Sequence, residues 1–372
     1  MSGEPPVHWV DTPEALPTVA AACAQAPWLA LDVEANGLHA YRERCCLIQL
    51  YAGSAIFVID PLALRREDLA PLRPAFADRQ RCKWLHGGEL DVALLRRDCD
   101  LPLAGVFDSQ QAAALLGWEA TGYGAVVERL LGIRLEKAYA HYDWACRPLD
   151  PGALRYAVED VRYLPLVGQR LRELVIAADL LEETEIACQA VEASTRREGF
   201  EPGGFWRVPG ARALPKDRLP VLAALWAWRD RVARELDKPP GRLLNNQLLI
   251  ALSRQPIYTW AQLKQLGIKG WLLASHGEDL LACLRRAREE PPPLPPPPQH
   301  REVAPEEERR ERRLKDWRQA EAKRRGVSLQ AVLPAKALEH LKRYGAGDLA
   351  SVPQLGAKRI ALYGDKLRTL AE

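Results

Sequence analysis

Two carboxylates interrupt an apolar stretch near the start of the sequence. The segment WLALDVEANGL, residues 28–38, places Asp32 and Glu34 two positions apart. Side chains two residues apart in a β-strand point to the same face, and buried carboxylates that share a face repel unless a cation pairs with them. Divalent cations such as Mg²⁺ prefer carboxylate oxygen. The pair therefore indicates a metal site or, if it stands alone, a strand end that reaches solvent.

Three further residues extend this pattern. Asp91 follows the strand-like segment KWLH, a Gly-Gly turn and a helix start, where its alternative role is to complement the dipole at the helix N-terminus. Tyr156 and Asp160 are four residues apart in LRYAVEDVRYL, so a helix would place them on one face. Taken alone, Tyr156 is typical of a packing residue and Asp160 of a solvated acid. Only the combination of these residues indicates chemistry.

Hydrophobic patterning predicts the elements that must position these side chains. Short apolar runs separated by Gly, Asn and charged residues predict strands at WLALDVE, CCLIQLYA, AIFVID and KWLH. A helix is predicted at ELDVALLRR, and the pattern from Asp108 to about residue 190 is mostly helical. Asp150 as N-cap and Pro151 at the first helical position predict where one of these helices begins. Strands followed by helices predict an α/β or α+β domain over about residues 1–200.

The rest of the chain is predicted to be helical. The Gly/Pro-rich segment 201–215 is typical of a connector, and PPPLPPPP at 291–298 predicts a stiff polyproline linker. The segments on either side of this linker align at one offset of 89 residues, which pairs Leu225 with Leu314 and Trp228 with Trp317. The alignment predicts a repeated all-helical module of about 65–75 residues.

Composition limits the class of protein without identifying it. The 372 residues include 52 Lys+Arg and 49 Asp+Glu, a net charge of +3, so a surface that binds nucleic acid would have to be local. The eight cysteines form no C-x-x-C pair, which argues against a structural zinc site. We see no signal-peptide pattern and no apolar run of about 18 residues. We therefore expect a cytoplasmic protein that does not associate with a membrane.

The acidic segments together resemble the three motifs of the DEDDy 3′→5′ exonucleases. These are D-x-E in LALDVEANGL, the second motif in HGGELD and Y-x-x-x-D in YAVED. CLIQL, DWACRPL and FDSQQAAALLG are similar to segments of the ribonuclease D family, and the repeated modules resemble HRDC domains. The resemblance implies an RNase H-like α/β exonuclease domain, with a mixed sheet flanked by helices, followed by two all-α HRDC-like domains. The predicted boundaries are 1–205 for the exonuclease domain, 210–290 and 309–372 for the HRDC domains, and 291–308 for the linker.

The resemblance also implies roles for the acids and the tyrosine. Phosphodiester hydrolysis needs an activated water and stabilisation of charge on the phosphate and on the leaving oxygen, and four carboxylates can hold two divalent ions for this purpose. The implied ligands of two Mg²⁺ or Mn²⁺ ions are Asp32, Glu34, Asp91 and Asp160, with Asp32 between both ions. Tyr156 is expected to orient or deprotonate the attacking water. Glu34 is expected to accept a hydrogen bond from the terminal 3′-hydroxyl as well.

Three residues are candidates for substrate binding. His86 leads the second motif and is expected near the terminal nucleotide, with a structural histidine as an equal alternative. Lys137 and Arg147 precede the third motif and are candidates for phosphate contacts. Surface or packing roles are the alternative for both.

The implied function is that of a metal-dependent 3′→5′ exoribonuclease. It would act as a monomer on RNA, release nucleoside 5′-monophosphates, process tRNA 3′ ends from tRNA precursors and trim structured RNAs. Ala35 follows Glu34 where many ribonuclease D chains carry an aromatic residue, and EANGL is closer to the proofreading exonucleases. A DNA 3′→5′ exonuclease that acts on single-stranded DNA in repair is therefore one alternative. A nucleic-acid-binding HRDC protein with an idle nuclease site is the other.

Overall fold

The structure of the protein, a computed structural model, describes residues 4–136, 138–196, 199–293 and 304–372. These residues form two compact units. The first unit contains the described parts of 1–35, 44–196 and 302–372, and the second contains 36–43 and the described parts of 197–301. Among the described helices, none has the length and apolar content that a membrane-spanning segment requires.

A six-stranded mixed sheet forms the centre of the first unit. The strands are β1 (Val7–Val10), β2 (Trp28–Ala35), β3 (Cys45–Ala52), β4 (Ala55–Ile59), β5 (Cys82–Leu85) and β6 (Val106–Asp108), in the order β1-β4-β3-β2-β5-β6. β2 is antiparallel to β3 and parallel to β5, while β1 with β4 and β5 with β6 are parallel pairs. The predicted α/β class and mixed sheet are confirmed, and β1 and β6 are strands that the sequence patterns did not indicate.

Helices cover both faces of this sheet. They are α1 (Leu16–Gln25), α2 (Arg73–Ala77), α3 (Glu89–Cys99), α4 (Ser109–Leu115), α5 (Tyr123–Leu131), α6 (Pro151–Arg162), α7 (Leu164–Ala177) and α8 (Leu181–Glu192). Leu29, Leu31 and Val33 of β2 belong to the core that contains buried residues of α1 and α3. Ala30 points the opposite way, into the core that contains buried residues of α7. Because side chains alternate along a strand, Asp32 and Glu34 share the face of Ala30.

The second unit is helical. Its helices are α9 (Leu219–Glu235), α10 (Pro240–Leu243), α11 (Asn246–Arg254), α12 (Trp260–Gln265) and α13 (Gly270–Arg286). Phe205, Val208 and Leu214 lie in the segment predicted as a connector, yet they are buried in the core of this unit. The connector is therefore part of the helical unit.

Residues 36–43 directly follow β2 and belong to the second unit as well. The Tyr41 hydroxyl donates to Asp230 Oδ1 at 2.9 Å, and the Tyr41 backbone N–H donates to Asp237 Oδ1 at 3.1 Å. The Arg234 guanidinium lies 5.4 Å from the centre of the Tyr41 ring, within the range of a cation–π contact. These contacts hold the segment against α9 and the turn that follows it.

The C-terminal module has its own core within the first unit. It consists of α14 (Pro305–Arg325), α15 (Leu329–Val332), α16 (Ala335–Tyr344) and α17 (Ala357–Ala371). Helix α14 has three acids in its first turn and three bases in its last turn, which complements the helix dipole. It begins within the range predicted for the linker, of which 294–303 lie outside the described residues. Ser328 N–H donates to Leu115 O at 3.2 Å and thus connects this module to α4.

Candidate active site

Strand β2 places two acids on one face of the sheet. Asp32 lies opposite Gln49 of β3, and Glu34 lies opposite Leu47. The strand pairing becomes irregular between Glu34 and Ala35, so Glu34 is the last side chain in regular register. Gln49 is fully buried, and its amide nitrogen and oxygen make no hydrogen bond with any of the described residues. The acids therefore occupy the end of a central strand, next to an unpaired polar side chain.

Helix α6 brings a third acid and a tyrosine to the same place. The Asp150 side chain accepts hydrogen bonds from the Gly152 and Ala153 amides, and Pro151 is the first helical residue, so the predicted helix start is confirmed. Ala153, Ala157 and Val161 are buried against β3 and β4. This packing turns the face of Tyr156 and Asp160 toward β2. Carboxylate oxygens of Asp32, Glu34 and Asp160 all lie within 4.8 Å of one another.

Asp91 of α3 interacts electrostatically with this cluster but is not one of the three acids whose oxygens lie within 4.8 Å of one another. It is the third residue of that helix and is 93% buried. After burial itself, the negative charges of Asp32, Asp108 and Asp160 raise its pKa further. The four acids predicted from the sequence thus come from β2, α3 and α6 and act on one another electrostatically.

Burial raises the pKa values of the other acids, and neighbouring charges add to this for Glu34 and Asp160. Burial raises the pKa of Asp32 to about 7. Burial, followed by the charges of Asp32, Asp160 and Asp91, raises that of Glu34 to about 10. Burial, followed by the charge of Asp32, raises that of Asp160 to about 9. Within the described parts of the chain, no lysine or arginine pairs with any of the four acids.

This donor set fits divalent metal ions. Four carboxylates without a basic partner leave several oxygen atoms free, and hard cations bind such oxygens. A bound cation would also offset the burial and the repulsion that raise these pKa values. The unpaired amide of Gln49 beside Asp32 adds a polar group that a hydrated ion could satisfy. The cluster could therefore hold divalent metal.

Tyr156 lies beside the acids and keeps its proton. Burial, followed by the charges of Asp160, Glu34 and Asp32, raises its pKa well above the ordinary value. Its ring lies near those of Tyr139 and Trp144, with centroid distances of 6.2 and 6.1 Å. The hydroxyl is therefore suited to hold a water by hydrogen bonds rather than to remove its proton unaided.

Tyr123 is a residue of the site that sequence reasoning missed. Burial, followed by the charges of Asp160 and Asp32, raises its pKa, and its hydroxyl donates to the Glu159 carbonyl at 3.3 Å. Its ring lies 5.2 Å from that of His86. No motif or spacing in the sequence indicates Tyr123, because α5 reaches the acids only through the fold.

His86 is held in one orientation by hydrogen bonds. Ser109 Oγ donates to the Leu85 carbonyl at 2.8 Å, and His86 Nδ1 lies 2.8 Å from the same Oγ. Since the hydroxyl has one proton, Nδ1–H must be the donor to Oγ. Burial lowers the pKa of His86, which favours the neutral ring with Nε2 as its acceptor.

The two remaining candidates for substrate binding are Arg147 and Lys137. The Arg147 guanidinium donates to both Asp60 carboxylate oxygens, at 2.5 and 2.8 Å, and to the backbone carbonyls of Cys46, Trp144 and Cys146. All three of its nitrogens are therefore engaged within the protein, which supports the packing alternative. Lys137 lies outside the described residues.

Comparisons with known proteins match both the N-terminal part of the chain and the two repeated modules. Residues 7–176 match a 3′-5′ exonuclease family model, and residues 218–284 and 307–369 each match the HRDC domain. The two HRDC matches begin 89 residues apart, which is the offset of the sequence repeat.

Among the relatives, ribonuclease D of Escherichia coli is 31% identical over 75% of this chain and 74% of the relative. Ribonuclease D of Cronobacter turicensis is 30% identical over 70% of each chain. The exosome complex exonuclease RRP6 of Saccharomyces cerevisiae is 28% identical over 66% of this chain but only 35% of its own length. The crystal structure of Escherichia coli RNase D superposes with a TM-score of 0.71 at 26% identity and covers 98% of both chains.

Proposed function

Because the chain belongs to the ribonuclease D family and is a 3′→5′ exoribonuclease, we propose that it cleaves RNA at the cluster of Asp32, Glu34, Asp91 and Asp160. The products would be nucleoside 5′-monophosphates. The observation that carries this proposal is the convergence of Asp32, Glu34 and Asp160, which are half-buried on β2 and α6. The buried Asp91 of α3 interacts with them electrostatically, and among the described residues none of the four acids has a basic partner. The same observation disfavours an idle nuclease site, since such a cluster is costly to keep unless a cation binds.

We propose that Asp32, Glu34, Asp91 and Asp160 would hold two divalent ions, Mg²⁺ or Mn²⁺. Such ions supply an activated water and stabilise the charge that develops on the phosphate and on the leaving oxygen. The acids fix the positions at which this chemistry occurs. Tyr156 orients the attacking water through its hydroxyl. Its raised pKa supports this positioning role over that of a free base.

Glu34 and His86 are proposed to receive the 3′-terminal nucleotide. Glu34 lies at the end of β2, where its carboxylate is suited to accept a hydrogen bond from the 3′-hydroxyl. A bond to that hydroxyl would favour cleavage at chain ends. The neutral His86 ring packs beside the ring of Tyr123. The charges of Asp160 and Asp32 in turn raise the pKa of Tyr123.

The charge distribution supports contact between the HRDC domains and RNA. Residues 7–176 contain 18 Lys/Arg and 22 Asp/Glu, whereas residues 218–284 contain nine and five, and residues 307–369 contain 16 and eight. Positive charge attracts the phosphate backbone without reading its sequence. We propose that tRNA precursors and other structured RNAs are the substrates, that the HRDC domains hold the body of these RNAs, and that the protein acts as a monomer.

A degradation assay tests the proposal. Purified protein is incubated with a tRNA precursor that carries a 3′ extension, with unstructured RNA and with single-stranded DNA of the same sequence, with Mg²⁺, with Mn²⁺ or with chelator. We expect metal-dependent release of nucleoside 5′-monophosphates from both RNAs. Asp32→Asn should abolish release and leave RNA binding intact, whereas Asp11→Asn, at an exposed position, should change neither. Equal or faster release from the DNA would favour the DNA exonuclease, and no metal-dependent release from any substrate would overturn the proposal.

A further inference from the structure

Asp108 connects two helices through one buried carboxylate. It is the last residue of β6 and the N-cap of α4, and it is fully buried. Its Oδ1 accepts hydrogen bonds from the Gln110 and Gln111 amides at 2.9 and 3.0 Å. Its Oδ2 accepts from the Gly88 amide at 2.8 Å. One oxygen thus caps α4, and the other accepts a hydrogen bond from a residue outside that helix.

The donor of this second hydrogen bond, Gly88, precedes the helix that carries Asp91. Gly88 is the N-cap of α3, and Asp91 is the third residue of that helix. Asp108 lies directly opposite Leu85, the last residue of β5, so the bond spans the turn between β5 and α3. Gly87 in this turn has a φ of +67°, a conformation that glycine adopts readily. The hydrogen bond to the Gly88 amide therefore links Asp108 to the start of α3.

Ser109 holds the other side of the same turn. Its hydroxyl donates to Leu85 O and accepts from His86 Nδ1. Asp108 and Ser109, two adjacent residues, therefore contact the turn both before and after Gly87.

We propose that Asp108 is a positioning residue, which through its hydrogen bond to the Gly88 amide sets the place at which Asp91 presents its carboxylate to the metal site. This inference rests on the proposed function, because it assigns Asp91 to that site. Residues that support metal ligands indirectly typically change metal affinity by about 10–100-fold when they are replaced. Asp108 acts one step further away, through the backbone of the ligand-bearing helix.

The use of a carboxylate at this position supports the proposal. An asparagine or serine would cap α4 as well as an aspartate. A second acid near Asp91 has an electrostatic cost, because the charge of Asp108 adds to burial and to the charge of Asp32 in raising the pKa of Asp91. A carboxylate has two oxygens that both accept, and the structure uses both. Among aspartate, asparagine and serine, only aspartate has a second side-chain oxygen that can accept the hydrogen bond from the Gly88 amide.

Asp108→Asn isolates this second bond. The Asn side-chain oxygen can still cap α4, while its NH₂ group faces the Gly88 N–H, donor against donor. We expect calorimetric titration of the metal-free protein with Mn²⁺ to show about tenfold weaker binding for this variant. We also expect activity to recover as Mn²⁺ is raised. Asp348→Asn is the matched control, because Asp348 caps a short helix in the C-terminal module through one oxygen and should bind Mn²⁺ like the wild type.

A double-mutant cycle separates positioning from loss of stability. If Asp108 acts through Asp91, the Asp108→Asn change should not weaken Mn²⁺ binding further in an Asp91→Asn background. If Asp108→Asn does not fold, Asp108→Ser retains a cap for α4 without opposing the Gly88 N–H, and it should show the same loss. Wild-type Mn²⁺ affinity in the folded variants, or equal weakening in both backgrounds, would overturn the inference. Failure of the wild-type protein to bind Mn²⁺ would instead count against the proposed function.

Discussion

Lys358 of the C-terminal module pairs with the buried Glu183 of α8. The Lys358 ammonium lies 3.2 Å from Glu183 Oε2 and 3.0 Å from Asp179 Oδ1. The Lys358 backbone N–H donates to Glu182 Oε1 at 3.0 Å. Glu183 is 99% buried, and its other carboxylate oxygen has no hydrogen-bond partner in the part of the chain that the structure describes. One lysine therefore compensates a buried charge on α8, and this contact holds α17 there.

Replacement of Lys358 by methionine should destabilise the first unit. The variant leaves a buried carboxylate without a partner, a change that typically costs about 3–5 kcal/mol. Urea unfolding would measure the loss. Lys366→Met on the exposed side of the same helix should change the free energy of unfolding by less than about 0.5 kcal/mol. Equal stability of the two variants would contradict this account of the contact.

Tyr156→Phe should lower kcat by about 100-fold or more and leave KM for RNA nearly unchanged. The variant keeps the ring that packs near Tyr139 and Trp144 but loses the hydroxyl, and positioned groups of this kind typically contribute about 10²–10⁴-fold. Steady-state kinetics on a short RNA would show the effect. Tyr344→Phe, at an exposed position, is the control. A raised KM at full kcat would instead assign Tyr156 to binding.

The metal-free protein should lose stability as the pH rises. Asp32, Asp160 and Glu34 have folded pKa values of about 7, 9 and 10, whereas unfolded carboxyls titrate near about 4. Between these values the folded state binds more protons than the unfolded state, so the free energy of unfolding falls with rising pH. Bound Mn²⁺ replaces those protons, so its stabilising effect should grow over the same range.

Thermal unfolding in chelator and in Mn²⁺, from about pH 5 to about pH 8, would test this dependence. In chelator, the stability of Glu34→Gln should fall less steeply with rising pH than that of the wild type, because the variant lacks one of the acids with a raised pKa. A wild-type curve no steeper than that of Glu34→Gln would show that the acids do not carry these shifts.

Arg147→Met should reduce stability rather than substrate affinity. The bidentate pair with Asp60 and the bonds to three carbonyls would be lost, and Asp60 is 97% buried. We expect the free energy of unfolding to fall by about 3 kcal/mol, with KM for RNA within about twofold of wild type at a temperature where the variant is folded. A large rise in KM without loss of stability would restore the phosphate-binding role.

Periodicity and spacing predicted the parts of the site that are local in sequence. Asp32 and Glu34 share a face because strands alternate, and Asp150 with Pro151 marked the start of the helix that carries Tyr156 and Asp160. Two strands gave no such signal. β1 is mostly exposed and shows no alternation, and β6 has only three residues.

Other features depend on contacts between distant segments. Tyr123 approaches the acids only once α5 has packed, and the Gly88 amide reaches Asp108 across 20 residues of chain. The residues after Glu34 read as an ordinary loop, yet Tyr41 belongs to the helical unit. Propensity and hydrophobic pattern describe a segment and its immediate neighbours, so they do not predict contacts between residues that are far apart in sequence.

The placement of residues 36–43 has a consequence for how the first HRDC domain could be exchanged among related proteins. The domain matched at 218–284 is one continuous piece of sequence, but its surroundings include Tyr41, from nearly 200 residues earlier. Transplanting the continuous piece alone would leave Tyr41 without Asp230 and Asp237 and the new domain without its tyrosine. Residues 36–43 and the first HRDC domain are therefore expected to work only when they are exchanged together, and chimaeras should be built with both or with neither.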